Sequence, residues 1–147
     1  MNFQYLAIIA SCFLITGCSS TGTVNQNQHA AKIVSQVNQS NVERPDLKTL
    51  TASFAETEST SPYSRSVVEL SGKVIAFALT EDNLYTVTMQ DGETTVICVF
   101  DSTIADQLGG SRTISGGATI TVQGQCFASG LFSSSAFTLN GCKLVTN

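Results

Sequence analysis

Apolar positions along the chain recur at two different spacings, and the change falls near Tyr63. Between His29 and Val42 they form a weak helical stripe in a setting rich in Gln and Asn, and Pro45 ends any helix there. The stripe consists of Ala30, Ile33, Val34 and Val37. The polar stretch from Ser19 to about Gln28 has no such period and predicts a disordered tether.

A second helix is predicted directly after Pro45. Asp46 can cap its first turn, because a carboxylate at that place accepts a hydrogen bond from a free backbone N–H. The apolar positions that follow at helical spacing are Leu47, Leu50 and Phe54. Ser61-Pro62 then breaks the pattern, so a short capped helix is expected here.

Beyond Tyr63 the spacing becomes that of β-strands. Three runs form a meander, with the turn pair Asp91-Gly92 between the second and the third. Asp101 or Ser102 can cap a short helix that continues to Leu108 and is closed by Gly109-Gly110. Two more strands follow. The predicted strands are Val67 to Leu79, Leu84 to Met89, Thr94 to Phe100, about Ala118 to Phe127, and Ala136 to Val145.

The order βββ-α-ββ predicts a mainly β fold, the five-stranded OB-fold barrel, which closes by pairing its first strand with its fourth. The first strand must then bend to serve two neighbours, and Gly72 could permit that bend. An open meander or a small sandwich is the alternative. The predicted organisation is a leader over residues 1–17, a tether with a weak helix over 18–45, and the barrel with its N-terminal helix over 46–147.

The N-terminus has the pattern of an export signal. The apolar stretch from Leu6 to Ile15 has signal-peptide length and is too short to span a bilayer. Leu14-Ile15-Thr16-Gly17-Cys18 resembles the lipobox of bacterial lipoproteins, which implies cleavage before Cys18 and acyl chains, palmitate among them, on that residue. By the same resemblance, Ser19 favours the outer membrane, with the domain on its periplasmic face. An ordinary signal peptide with an incidental Cys18 is the alternative.

Composition supports a small β-rich secreted domain, since 42% of the residues are apolar and only 12% are charged. The formal net charge is −4. Charges balance before Ser66, whereas from there on Lys73, Arg112 and Lys143 face seven carboxylates. Proteins that bind nucleic acid usually cluster Lys and Arg against the phosphates. The expectation is therefore that nucleic acid is not a partner.

Several stretches resemble the OB-fold proteins of the tRNA-anticodon-binding-like family (tRNA_anti-like), many of which are small bacterial envelope proteins. The resemblance covers about Leu47 to Leu144. Its carriers are Tyr63, Val68 to Val74 with Gly72, Val96 to Phe100, Gly117 to Gly124, Cys126, and Leu139 to Leu144. It implies an OB-fold and does not by itself imply tRNA binding.

Apart from Cys12 in the leader and Cys18, three thiols remain, so at most one internal disulfide can form. Cys126 and Cys142 lie on the last two predicted strands and match recurrent Cys positions of the family, which makes them the expected pair. Cys98–Cys142 is the alternative. Cys98 alternates with apolar neighbours and is expected to be a buried core thiol.

No catalytic or metal-binding constellation is evident in the sequence. The single histidine, His29, has no Cys, Asp or Glu at ligand spacing, and the three thiols do not have the spacing of a zinc motif. No nucleophile motif or phosphate-binding loop appears. No metal, no cofactor and no enzymatic activity are therefore expected.

The function predicted from the residues is a non-enzymatic binding or assembly module, because OB-folds bind ligands on the face of their second and third strands. If Tyr85, Val87 and Met89 point into the barrel, their neighbours point out. The candidate binding face is then Leu84, Thr86, Thr88, Thr95 and Ile97. The expected partners are the membrane, through the lipid, and an envelope protein, peptide or glycan. A structural or protective lipoprotein that excludes phage or toxin, and an enzyme of unrecognised type, are the alternatives.

Overall fold

The computed structural model describes residues 21–54, 61–108, 114–126 and 136–145. The elements in these ranges are α1 (Thr21–Gln36), a 3₁₀ turn (Gln39–Asn41), α2 (Leu47–Phe54), β1 (Val67–Leu79), β2 (Tyr85–Asp91), β3 (Thr94–Phe100), α3 (Ile104–Gln107), β4 (Thr119–Cys126) and β5 (Ala136–Leu144). The predicted leader, Cys18 and the predicted helix stop at Gly109-Gly110 lie outside the described residues.

The five strands close into a barrel with the order β1-β2-β3-β5-β4, in which β4 returns to β1. Neighbouring strands are antiparallel except β3 and β5, which are parallel. This confirms the predicted mainly β, five-stranded OB-fold barrel and its closure between the first and fourth strands.

The first strand serves two neighbours by changing partners near its middle. Its first half, from Val67 to Lys73, pairs with β4, and its second half, from Lys73 to Leu79, pairs with β2. The register to β2 shifts between Val74 and Ala76, which marks an irregularity just after the change. A Cβ on Gly72 would lie 3.1 Å from the Cβ of Met89, so glycine lets β1 pass close to β2 at this point.

Alternation along the strands fills the barrel with apolar side chains. Val87 and Met89 of β2 are fully buried, as are their β3 partners Cys98 and Val96. Phe100 is among the largest fully buried side chains. Burial of such side chains contributes roughly 1.5–3 kcal/mol each relative to exposure, so this interior dominates the stability of the fold.

Helix α1 begins at Thr21, inside the segment that was predicted to be a disordered tether. That prediction is wrong for the residues from Thr21 to Gln28, because the helix packs on β4 and β5 and buries side chains, including Asn27. The predicted stripe is correct in place: Ala30 and Val34 are buried, and Val34 packs in a second cluster with Val42 and Val67. No helix in the described ranges is both long and apolar enough to cross a membrane.

A polar contact fixes α1 to the barrel. The side-chain oxygen of Asn27 accepts a hydrogen bond of 2.7 Å from the backbone N–H of Gly141 in β5. Gly141 has a positive φ of 61° and lies against the backbone of Ala30 and Ala31. Helix and strand can approach this closely only because residue 141 has no side chain. The polar side chain of Asn27, which contributed to the prediction of a tether, therefore binds the barrel.

Helix α2 begins as predicted, with Asp46 as its cap. A carboxylate oxygen of Asp46 accepts a 2.7 Å hydrogen bond from the backbone N–H of Thr49, and the other accepts one of 2.7 Å from the Thr49 hydroxyl. These bonds, the backbone one foremost, lower the pKa of Asp46 below its usual value. The buried side of α2 presents Leu47 and Leu50 to the barrel core.

We expect Asp46→Ala to lower the melting temperature at neutral pH, because it removes the cap of α2. A carboxyl group whose pKa is lowered by folding stabilises the folded state above its unfolded pKa, and this contribution is lost as the pH falls through the lower folded value. The difference between wild type and variant should therefore shrink on acidification below about pH 4. Asp46→Asn is the matched control, since Asn still caps and does not titrate. A difference that grows in acid would contradict this assignment.

Candidate functional site

The cross-strand register separates an inward and an outward set of side chains on β1, β2, β3 and β5. Val87 is paired with Phe77 and Cys98 on the inward side, so the residues between these positions point outward. We call the outward set the outer face. It consists of Lys73, Gln90 and Thr95, then Ala76, Thr88, Ile97 and Thr138, then Ala78, Thr86 and Val99, in three rows that cross the strands.

Four of the five residues predicted for the binding face lie on the outer face. They are Thr86, Thr88, Thr95 and Ile97, and all four are partly exposed. Leu84 is a correction, because it precedes β2 and is only 5% exposed. Its backbone N–H and C=O both bond to Thr80, which closes the turn between β1 and β2 and buries the Leu84 side chain. Strand alternation does not extend into this turn.

The outer face carries hydroxyl, amide and methyl groups, and none of its ten members is a carboxylate. Lys73, at one edge, is the one charged member of the set. Its polar groups are partly held in place: the Gln90 amide donates a 2.8 Å hydrogen bond to the carbonyl of Gly92. The face is therefore electrostatically neutral apart from one cation.

The carboxylates of this region lie at the ends of the strands. Glu81 and Asp82 occupy the turn between β1 and β2, and Asp91 and Glu93 flank the turn between β2 and β3. The negative net charge thus belongs to the rims and turns, not to the outer face.

An aromatic pair lies at the end of the barrel next to the turn between β1 and β2. The rings of Phe77 and Tyr85 are tilted, with centroids 5.6 Å apart, and both side chains are partly buried against the core. Leu79 is paired with Tyr85 and is 56% exposed. These three side chains therefore form a partly exposed apolar patch next to the acidic turn.

A polar cluster lies on the opposite side, on the outside of β1 and β4. The amide nitrogen of Gln123 is 2.7 Å from a carboxylate oxygen of Glu69 and 2.7 Å from the side-chain oxygen of Gln39. The hydrogen bond from Gln123, foremost, and the nearby Arg44 guanidinium lower the pKa of Glu69, against the effect of burial. Arg44 forms an ion pair of 3.1 Å with Glu69.

Sequence reasoning missed this cluster. Nothing in the sequence indicated that Gln123, on the outside of β4, is only 2% exposed in the folded chain. The contacts join residues up to 84 positions apart, so no local pattern indicates them. The amide nitrogen and oxygen of Gln123 both have hydrogen-bond partners within the protein, so its role is structural: it joins β4 to β1 and to the N-terminal segment.

The three cysteines lie together in the barrel interior on β3, β4 and β5, and Cys98 is buried as expected. All three are free thiols in the structure, so the predicted Cys126–Cys142 bond is not formed in it. The partner of Cys126 across β4 and β5 is Leu139, because the register shifts between Gln123 and Gln125. A count along regular strands could not show this shift. The pairing in oxidised protein stays a prediction, which thiol counting on unreduced protein would test.

Burial governs the chemistry of these thiols. It raises the pKa of Cys126 to about 12. It also raises the pKa of Cys142 well above the usual value, and hydrogen bonding with the Cys98 thiol acts in the same direction. The Cys142 thiol also donates to the carbonyl of Leu139 at 3.5 Å. Thiolates are the reactive form of cysteine, so Cys126 and Cys142 are held in the unreactive form.

The described ranges contain no group of three or more His, Cys, Asp or Glu side chains that could hold a metal ion. His29 lies on an exposed position of α1.

The sequence profile of the tRNA_anti-like family matches residues 1–143. The chain belongs to the tRNA_anti-like family. Its OB-fold is a nucleic-acid-binding type of fold, which confirms the resemblance drawn from the sequence. No curated protein matches the chain.

Solved structures with a similar fold include a Klebsiella pneumoniae protein described as a "putative nucleic acid-binding lipoprotein". It is 18% identical, with a TM-score of 0.57 over 76% of this chain and 100% of that one. A Leishmania major protein described as a "putative aspartyl-tRNA synthetase" is 11% identical, with a TM-score of 0.50 over 86% of this chain and 26% of that one. Yeast Stn1 and Ten1 give 12% identity and a TM-score of 0.49 over 79% of this chain and 70% of that one. At these identities the likeness concerns the fold alone.

These comparisons correct the prediction that nucleic acid is not a partner. The family and the fold are of the nucleic-acid-binding type, and the prediction rested on net charge. Net charge sums the whole domain, whereas recognition depends on the local face. Since the carboxylates lie at the turns, the acidity of the chain does not exclude nucleic acid from the outer face.

Proposed function

We propose that this protein is a lipid-anchored, non-enzymatic module that binds single-stranded nucleic acid through its outer face. The observation that carries the proposal is the composition of that face, which is rich in hydroxyl groups and carries one cation and no carboxylate, on a fold of the nucleic-acid-binding type. Thr86, Thr88 and Gln90 supply hydrogen-bonding groups, and Ile97 supplies an apolar surface for a base. The description of the Klebsiella pneumoniae protein as a nucleic acid-binding lipoprotein supports the same function.

The face also defines the kind of binding. One cation, Lys73, can neutralise about one phosphate, so the logarithm of the binding constant should fall with the logarithm of salt with a slope of about −1 or shallower. Most of the binding free energy then comes from hydrogen bonds and from apolar contacts with bases. Such a site binds moderately and tolerates physiological salt, in contrast to a cationic groove.

The test is fluorescence anisotropy with labelled single-stranded DNA and RNA of about 12 nucleotides, within the range that one OB-fold covers. We expect saturable binding that Thr88→Glu weakens about tenfold or more, because a carboxylate at the centre of the face repels phosphate. Ser35→Glu is the matched control, since Ser35 is an exposed residue of α1, which packs on β4 and β5, whereas Thr88 lies on β2. It should leave binding within about twofold.

Two results would reject the proposed function. One is the absence of saturable binding to either nucleic acid. The other is an equal loss in Thr88→Glu and Ser35→Glu, which would show that the protein responds to net charge and not to the outer face.

The membrane anchor is part of the proposal and rests on the lipobox-like sequence that ends at Cys18. We expect Cys18→Ser to leave an unlipidated precursor or a product cut elsewhere, because the thiol carries the lipid. Palmitate labelling and membrane fractionation measure this, with Cys98→Ser as the control that removes a thiol and keeps the anchor. A Cys18→Ser protein that still labels and sediments with outer membranes would exclude lipidation at this residue.

A further inference from the structure

Within the described ranges, the second half of β1 is paired along one edge. On the side of β4, pairing ends at Lys73, and Val74 makes the last contacts there, accepting from Gly117 N–H at 2.8 Å and donating to the carbonyl of Ala118 at 2.8 Å. From Ala76 to Leu79, β1 pairs with β2 on its other side. Within the described part of the chain, the backbone groups on the free edge of Ile75 to Leu79 have no hydrogen-bond partner.

Among the residues that the structure describes, this free edge is apolar and exposed. Ile75 is 48% exposed and Leu79 is 56% exposed, and they are the exposed large hydrophobic residues of the described chain. No charged residue or proline occurs between Lys73 and Glu81. Natural proteins usually guard a free strand edge with Lys, Pro or a covering loop. No charge, no proline and no loop of the described ranges guards this edge, so it is suited to pairing with another strand.

We propose that a second copy of this chain pairs with the free edge, antiparallel, to give a two-fold symmetric dimer. Such an interface must be complementary to itself. The segment Ile75-Ala76-Phe77-Ala78-Leu79 alternates large and small residues symmetrically about its centre. When two copies pair antiparallel about Phe77, Ile75 lies opposite Leu79 and Ala76 lies opposite Ala78 of the other copy.

Charges at the two ends of the edge agree with the same arrangement. Lys73 lies four positions before Phe77, and Glu81 lies four positions after it, followed by Asp82. The pairing itself stops short of these residues, because β4 occupies the edge at Lys73 and β1 ends at Leu79. The antiparallel direction still brings the Lys73 end of each copy towards the carboxylates at the other end of its partner's edge. Opposite charges across neighbouring strands favour pairing, and like charges oppose it.

The dimer has a consequence for the outer face. Ala76 and Ala78 belong both to this edge and to the outer face, so pairing through β1 joins the two outer faces into one continuous surface. A strand of nucleic acid could then cross both copies. The dimer itself follows from the edge and its charges, and its test contains no nucleic acid, so either inference can fail without the other.

The test uses the full chain, co-expressed in two copies with different tags, extracted in a mild detergent and captured through one tag. We expect the second tag to be recovered with wild type and to be lost about tenfold or more with Ile75→Lys/Leu79→Lys, which places lysine opposite lysine across the edge. Gln36→Lys/Ala52→Lys adds the same charge at exposed helical positions and should retain capture. Lys73→Glu should also weaken capture, and Lys73→Glu/Glu81→Lys should restore it.

Hydrogen exchange on wild-type protein gives an answer that requires no variant. In the dimer, all backbone N–H groups from Ala76 to Leu79 are bonded, so all should exchange slowly. Fast exchange at alternate positions of this segment would overturn the dimer, as would equal capture of wild type and Ile75→Lys/Leu79→Lys. If the melting temperature shows that Ile75→Lys/Leu79→Lys does not fold, hydrogen exchange on wild type and the Lys73→Glu and Lys73→Glu/Glu81→Lys variants decide whether the dimer forms.

Discussion

Gly141→Ala is expected to be the most destabilising single-methyl addition considered for this fold. An added Cβ would overlap the backbone of Ala30 and Ala31, and it would lie 2.6 Å from the Cα of Ala31. Backbone atoms of a helix cannot move aside as a flexible side chain can, so α1 must separate from β5. Together with the left-handed conformation at φ 61°, we expect a loss of about 3 kcal/mol or more in the free energy of unfolding. The melting temperature should fall by roughly 10 °C.

Gly92→Ala is the matched control, because Gly92 has the same φ of 61° and nothing lies within 4 Å of an added Cβ. It carries the conformational cost alone, about 1–2 kcal/mol. Trypsin gives a local readout: in Gly141→Ala the released helix should be cut at Lys32 much faster than in wild type or Gly92→Ala. If both glycine variants lose the same stability, α1 does not pack on Gly141 as described.

The dependence of α1 on Gly141 shows why sequence reasoning missed the start of this helix. The stripe of Ala30 and Val34 was visible, because it repeats at helical spacing. The preceding turn is polar, and its buried member is Asn27, whose hydrogen-bond partner lies 114 positions away. A sequence does not distinguish a buried side-chain amide from a solvated one. The polar turn was therefore predicted to be a tether, although the structure has a packed helix there.

The strands were predictable for the opposite reason. Along β2, and in β3 as far as Cys98, buried residues alternate with partly exposed outward ones, so Val87, Met89 and Cys98 could be placed from their own neighbours. The same alternation placed Thr86 and Thr88 on the outer face. It failed for Leu84, which lies in a turn where side-chain direction follows from turn geometry and not from a period of two.

Function was less predictable than fold, because total charge and local charge differ. Glu81, Asp91 and Glu93 make the domain acidic, but they lie at turns, and the outer face between them carries no carboxylate. Only the strand register shows which side chains share a face. The free edge of β1 could not be predicted for the same reason. Its apolar run has the pattern of a core strand, and only the strand pairing shows which of its edges is unpaired.

Gly124 and Cys142 offer a second large effect, which tests the interior packing of β4 on β5. An added Cβ on Gly124 would lie 2.7 Å from the sulfur of Cys142 and 3.0 Å from the Cβ of Leu139. Gly124 is buried and lies on the inward side of β4, so the barrel interior has little room for the methyl group. We expect Gly124→Ala to lower the free energy of unfolding by about 2 kcal/mol.

Removing the sulfur should relieve most of this strain. Cys142→Ala alone leaves a small cavity and is expected to cost about 1 kcal/mol. In Gly124→Ala/Cys142→Ala, the new methyl group occupies the space that the sulfur vacates, so the double variant should be more stable than the sum of the single losses predicts, by about 1 kcal/mol. Rescue stays incomplete because Leu139 still lies 3.0 Å from the added Cβ.

Cys126→Ala is the matched control, since Cys126 is not among the closest contacts of that Cβ. Its combination with Gly124→Ala should be additive. Denaturant unfolding under reducing conditions measures all five variants without interference from disulfides. Equal additivity in the two cycles would mean that the Cys142 sulfur does not lie over Gly124.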